Sequence, residues 1–109
     1  MVWYNTYRMK IDSGSLEGFE WDKGNLEHIK KHNVDFRECE DVFLNRPLIV
    51  FVDEEHSTTE KRYKIFGVTT DGRKLALAIT IRNNKIRVMM ARNRNKKEIM
   101  RLGGERKRI

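Results

Sequence analysis

Hydrophobic and polar positions alternate most regularly between residues 60 and 92. Within that stretch Leu75, Leu77, Ile79 and Ile81 fall on one side of an extended chain, and Ala76, Ala78, Thr80 and Arg82 on the other. A period of two is what a half-buried strand requires. Asp71-Gly72 and Asn83-Asn84 interrupt the pattern, and Asp-Gly between apolar runs is a strong hairpin signal. The pattern therefore predicts two consecutive hairpins, a three-stranded antiparallel meander. One face closes a core, and the other carries small residues and arginine, a surface suited to an anion.

Upstream, Leu48-Ile49-Val50-Phe51-Val52 is an unbroken apolar run, which predicts a central strand buried on both faces. Phe19-Glu20-Trp21 reads as a short strand. Asp22 then fits a helix N-cap with Asn25 three residues on, and Leu26 and Ile29 form a narrow apolar stripe that His32-Asn33 ends. Asp35 and Glu38 have the spacing of a capping box, and Phe36, Cys39, Val42 and Phe43 give the second helix one apolar face. A last helix capped by Asn95 contains Ile99, Met100 and Leu102 and should stop at Gly103-Gly104. The order is strand, two helices, four strands, helix. It predicts an α+β sandwich with a four-stranded, mainly antiparallel sheet and its helices on one face.

The chain has 109 residues, enough for one core. Residues 1–17 read as an N-terminal extension, aromatic at Trp3, Tyr4 and Tyr7 and jointed at Ser13-Gly14-Ser15. Residues 18–109 read as a single domain. No apolar run approaches the roughly 20 residues of a membrane helix. The N-terminus lacks a basic-then-apolar signal pattern, so the cytoplasm is the expected location. A lone cysteine, Cys39, excludes an internal disulfide and a cysteine-based zinc site, and its place on an apolar helix face makes it a core residue rather than a nucleophile.

The net charge of +7 is unevenly spread: residues 82–109 hold eleven Lys or Arg against Glu98 and Glu105. Concentrated positive charge favours a polyanionic partner, RNA or DNA first, with a solvated basic tail as the plain alternative. Arg62, Arg82, Arg87 and Arg92 lie on or at the ends of neighbouring strands. Guanidinium forks bind phosphate bidentately, although charge at strand edges also guards against aggregation. Arg94, Lys96, Lys97 and Arg101 follow and are suited to contacting a nucleic-acid backbone. His28 and His32 have the i, i+4 spacing of a metal pair, but no third ligand is evident, so no metal and no cofactor are expected. Asp53 and His56 share a loop, where a carboxylate could fix an imidazole tautomer for proton transfer.

The run Gly18-Phe19-Glu20-Trp21-Asp22-Lys23, then Asn25, then Lys31-His32-Asn33-Val34-Asp35-Phe36 resembles the opening of the BrnT family. Further matches follow in order: Val42-Phe43 before Pro47-Leu48, Asp53 and His56-Ser57, Glu60-Lys61-Arg62-Tyr63 leading to Gly67, Ile86-Arg87-Val88 before Ala91-Arg92, and Lys97-Glu98. The likeness spans about residues 18–101. Departures include Asn33 where Gly is usual, Met89-Met90 where Ile-Ser is usual, and Gly103-Gly104 near the end. The resemblance implies a RelE-like fold and a ribonuclease toxin of a type II toxin–antitoxin system that inhibits translation. It also implies a BrnA-like antitoxin, two copies of each protein in the complex, and operator DNA bound only through the antitoxin.

Together these readings lead to a metal-independent endoribonuclease in which the substrate's own 2′-hydroxyl attacks the adjacent phosphate. His32 or His56 would be the acid or base, with Arg62, Arg87 and Arg92 stabilising the phosphorane and Arg82, Arg94, Lys96, Lys97 and Arg101 binding RNA. The alternatives are a non-catalytic nucleic-acid-binding module and an inactive antitoxin-binding partner.

Overall fold

Asp22 starts the first helix by a reciprocal cap: its Oδ1 accepts from the Asn25 N–H at 3.0 Å, and Asn25 Oδ1 accepts from the Asp22 N–H at 2.8 Å. Two orphan donors are thereby satisfied. The computed structural model describes residues 17–45, 48–56 and 59–106, with the side chains of His56 and 103–106 left aside. Apart from Glu17, the expected N-terminal extension lies outside these residues. Helix α1 is Lys23–Lys30 and α2 is Phe36–Leu44. Asn33, at φ 57°, turns the chain between them. The Asp35–Glu38 capping box at the start of α2 forms as its spacing predicts.

Four strands follow: β1 (Ile49–Val52), β2 (Arg62–Val68), β3 (Lys74–Arg82) and β4 (Lys85–Asn93). They form one antiparallel sheet in the order β1-β2-β3-β4. The expected meander is its larger part. Asn83 and Asn84, both at positive φ, make the two-residue β3–β4 turn whose twist matches the strands. Residues Glu17–Glu20 run beside β4, with Ile86 N–H donating to Gly18 O and Glu20 N–H to Ile86 O, both at 2.8 Å. The expected N-terminal strand is thus a single parallel bridge, Phe19 to Ile86.

Leu75, Leu77 and Ile79 point into the main core with Ile29, Cys39, Val42, Val50, Ile65 and Val88, so α1 and α2 cover one face, as the alternation predicts. Phe19 and Trp21 join this core through ring contacts with Phe43 (5.3 Å) and Phe36 (5.8 Å). Burial raises the Cys39 thiol to about pKa 12, consistent with a packing residue rather than a nucleophile.

Three expectations are corrected. The apolar run 48–52 is not a central strand. β1 lies at the edge of the sheet, and its apolarity arises because Val50 packs under the helices while Ile49 packs on the opposite face with Phe66, Ala76 and Leu102. The helices are not all on one face, since Leu102 brings the last helix, α3 (Lys96–Arg106), onto that second face. Nor does α3 stop at Gly103-Gly104; it continues to Arg106. Glycine ends a helix only where the chain turns left-handed, and otherwise merely weakens it.

Gly67 governs how closely α2 sits on β2. A Cβ built there would lie 2.5 Å from Val42 Cγ1 and 3.0 Å from Leu48 Cδ2. Gly67→Ala should destabilise the fold by about 1–3 kcal/mol through overpacking, read as a lower Tm in thermal unfolding. Adding Val42→Ala should make the two effects less than additive. A Gly67→Ala protein that melts at the wild-type temperature would contradict this packing.

Candidate active site

The outer face of the sheet carries one transverse polar row. Arg62 pairs with Thr80 across β2–β3, and Thr80 pairs with Arg87 across β3–β4. Asp53 extends the row on the β1 side, where its N–H donates to the Arg62 carbonyl at 2.8 Å. Strands lie about 4.8 Å apart, so the Arg62 and Arg87 backbones are about 10 Å apart, a gap two arginine side chains can close over one phosphate. Thr80 between them is 1% exposed, and its hydroxyl donates to Lys61 O at 3.0 Å.

Three carboxylates hold two of the arginines at this end of the sheet. Because Phe19 and Trp21 point into the core, Glu20 and Asp22 fall on the alternate side, toward β4. Arg87 Nη1 donates to Asp22 Oδ2 at 2.8 Å and approaches Glu20 Oε1 at 3.4 Å, while Arg87 Nε is buried with no hydrogen-bond partner. Arg82, one row further along, makes a two-pronged pair with Glu60: Nη2 lies 2.8 Å from Oε1 and Nε 2.6 Å from Oε2. Hydrogen bonding from Arg87 holds the Asp22 carboxyl below its ordinary range, and Arg82 does the same for Glu60. Arg87 and Arg82 are in turn raised above the usual arginine value by Asp22 and Glu60.

The remaining expected site residues are dispersed. Arg92 shares the outer face but opposes Ala76, four residues from Thr80 along β3, or about 13 Å. Its guanidinium is clasped by Glu98 at 2.8 and 2.9 Å, and Glu98 also completes the α3 cap with Asn95. Arg92 thus ties α3 to the sheet. Arg94, expected to meet RNA, is 7% exposed, with Nη2 donating to Gly67 O at 2.7 Å and Nε to Leu75 O at 3.3 Å. Those contacts brace the chain entering α3 instead of presenting a cation to solvent. Lys96, Lys97 and Arg101 are exposed on α3. His28 and His32 are exposed on the helical side of the sheet. The His32 carbonyl faces Arg73, whose Nε donates to Asn93, so His32 is at the far end of β4 from Arg87. His56 closes a 3-10 turn, Glu54–His56, immediately after Asp53. It is therefore the histidine at the Arg62 end. Among the described residues, no group of three His, Cys, Asp or Glu side chains is placed to hold a metal ion.

Glu20, Glu60 and Thr80 did not stand out in the sequence as site residues. Thr80 could have been found from its place between the two arginine strands. The carboxylates could have been found only from alternation with the core aromatics.

Asp22 joins the cap of α1 to Arg87, which gives acid a defined effect. A carboxylate whose folded pKa is depressed contributes stability above its unfolded value, and the contribution is lost as pH falls through the folded value. Followed by carboxyl carbon NMR, Asp22 should titrate below the ordinary 3.8 and move back toward it in Arg87→Gln. An Asp22 that titrates identically in both proteins would contradict the contact.

Comparison with known proteins identifies a family. A family model described as the ribonuclease toxin, BrnT, of type II toxin–antitoxin systems matches residues 21–98. That stretch contains Asp22, Glu60, Arg62, Thr80, Arg87, Arg92 and Glu98. No curated protein matches the chain. No helix among the described residues is long and apolar enough to cross a membrane. An RNA substrate and an antitoxin partner follow from the family. The chain belongs to the BrnT family of ribonuclease toxins of type II toxin–antitoxin systems.

Proposed function

We propose that this toxin cleaves RNA without a metal ion, by attack of the substrate's 2′-hydroxyl on the adjacent phosphorus. The observation that supports the reading is the Arg62–Thr80–Arg87 row, which sets two arginines on one face of the sheet, two strands apart, about 10 Å between backbones and so within side-chain reach of one phosphate. A base removes the 2′-hydroxyl proton, the phosphorane gathers negative charge, and the 5′-oxygen leaves with a proton. Cyclic phosphate and 5′-hydroxyl ends result. Arg62 and Arg87 stabilise the phosphorane, and preorganised donors of this kind are typically worth about 10²–10³-fold in rate.

Asp22 and Glu60 are held ionised by their arginines, so neither supplies a proton at neutral pH. His56 is the proton-transfer group of this scheme, favoured over His32 because it follows Asp53 at the Arg62 end of the sheet. Such a group contributes about 10²–10⁴-fold. Arg82, Lys96, Lys97 and Arg101 steer and hold the RNA backbone, and Arg92 supports α3 beside it. Arg94 has no contact role in this scheme.

In the cell, cleavage inhibits translation in the cytoplasm. A BrnA-like antitoxin neutralises the toxin in a complex of two copies of each, and operator DNA is contacted through the antitoxin alone. Residues 18–109 act as the one toxin domain, with 1–17 as an appendage. The family resemblance supports these statements.

Induced expression should arrest growth. Arg62→Ala or Arg87→Ala should relieve the arrest, and the double variant should abolish it, with folding checked by circular dichroism. A folded double variant that remains fully toxic would overturn the site assignment.

A further inference from the structure

A cleft of about 460 Å³ opens between α3 and the outer face of β1 and β2. It falls in the size range of small-molecule sites. Phe51, Phe66 and Leu102 give it an apolar lining, Lys64 and Arg101 supply cations, and Asp53 and Glu98 supply carboxylates, the latter already clasped by Arg92. Phe51 is 45% exposed although aromatic. Its ring is set against Phe66 in a T-shaped contact, with centroids 6.0 Å apart and planes at 74°, so it is held by its neighbour while part of it stays open. Lys64 pairs directly with Phe51 across β1–β2, and Lys64 and Arg101 are both exposed cations.

The cleft adjoins the arginine row. Lys64 lies two residues after Arg62 on the same strand and face, about 6.6 Å away at strand rise. Asp53 belongs to both, lining the cleft while its N–H donates to the Arg62 carbonyl.

We propose that this cleft is a nucleobase subsite, which takes the unpaired base of the nucleotide next to the scissile phosphate. The base stacks on Phe51 beside Phe66 and Leu102, and Lys64 and Arg101 meet that nucleotide's phosphate. An exposed ring flanked by cations is the arrangement that binds single strands, since every base offers a π-face while the backbone demands positive charge. The inference rests on the reading of Arg62 and Arg87 as the phosphate centre, and it adds where the neighbouring base goes.

The test uses the full-length protein and a 12-nucleotide RNA that is 2′-O-methylated throughout, so that it binds without being cut. Fluorescence anisotropy compares this RNA with versions carrying one abasic site at each position in turn. Phe51→Ala should weaken binding of the parent RNA about 10- to 100-fold, and Phe51→Trp should keep it near the wild-type value. One abasic position should weaken wild-type binding by a similar factor and add little to Phe51→Ala. The salt dependence should be unchanged in Phe51→Ala and shallower by about one in Lys64→Ala.

A Phe51→Ala protein that binds the parent RNA as tightly as wild type would overturn the subsite. So would abasic RNAs that all bind like the parent, or a loss confined to neutralisation by the antitoxin, which would make the cleft a protein-docking site. If Arg62→Ala still loses cleavage of unmodified RNA in those cases, the phosphate centre stands and the subsite alone fails. If wild type and Arg62→Ala cut equally, both fail.

Discussion

A single bulge decides which residues of the sheet can act together. Arg87 and Arg92 are five residues apart, an odd number, so an unbroken β4 would place them on opposite faces. The register shift between Ala78 and Ile79 leaves Met89 without a partner, so that Val88 opposes Ile79 and Met90 opposes Ala78. Both Val88 and Ala91 then enter the core, and both arginines emerge on the outer face. Bulges bend and re-aim strands in this way, often beside functional sites. Arg92 can therefore reach Glu98 and seat α3, while Arg87 remains level with Arg62.

In the proposed site, fold and chemistry share residues. Asp22 caps α1 through Asn25 and grips Arg87 through its other oxygen. Asn25, 4% exposed, also donates to Glu20 O at 3.0 Å, which fixes the segment bearing the second carboxylate. In the free protein these carboxylates orient guanidinium groups that would otherwise sample many rotamers. In the proposed mechanism an incoming phosphate would have to share the guanidinium groups with these carboxylates or displace them. The Arg82–Glu60 pair is exposed on both sides and so individually weak, whereas the Arg87 side chain is only 14% exposed and is held more firmly.

Much of this was legible in the sequence. The alternation from Leu75 to Ile81 identified the meander and its core face, and the Asp22–Asn25 and Asp35–Glu38 spacings located both N-terminal helices, because these signals are local. Position within the sheet is not local: the run at 48–52 reads alike for an edge strand covered by helices on both sides and for a central strand. The partners of the arginines were likewise hidden. Glu60 lies 22 residues from Arg82, and Glu20 lies 67 residues from Arg87. Arg94 looked like another surface cation because charge in the sequence does not reveal that backbone carbonyls will enclose it.

How the phosphodiester is broken most directly distinguishes attack by the substrate's 2′-hydroxyl from any other cleavage. Purified protein in chelator, given an unstructured oligoribonucleotide, should yield 2′,3′-cyclic phosphate and 5′-hydroxyl ends. A single 2′-deoxynucleotide on the 5′ side of the scissile bond should block that cut alone. Cleavage that survives the deoxy substitution, or that leaves 3′-hydroxyl and 5′-phosphate ends, would contradict 2′-hydroxyl attack.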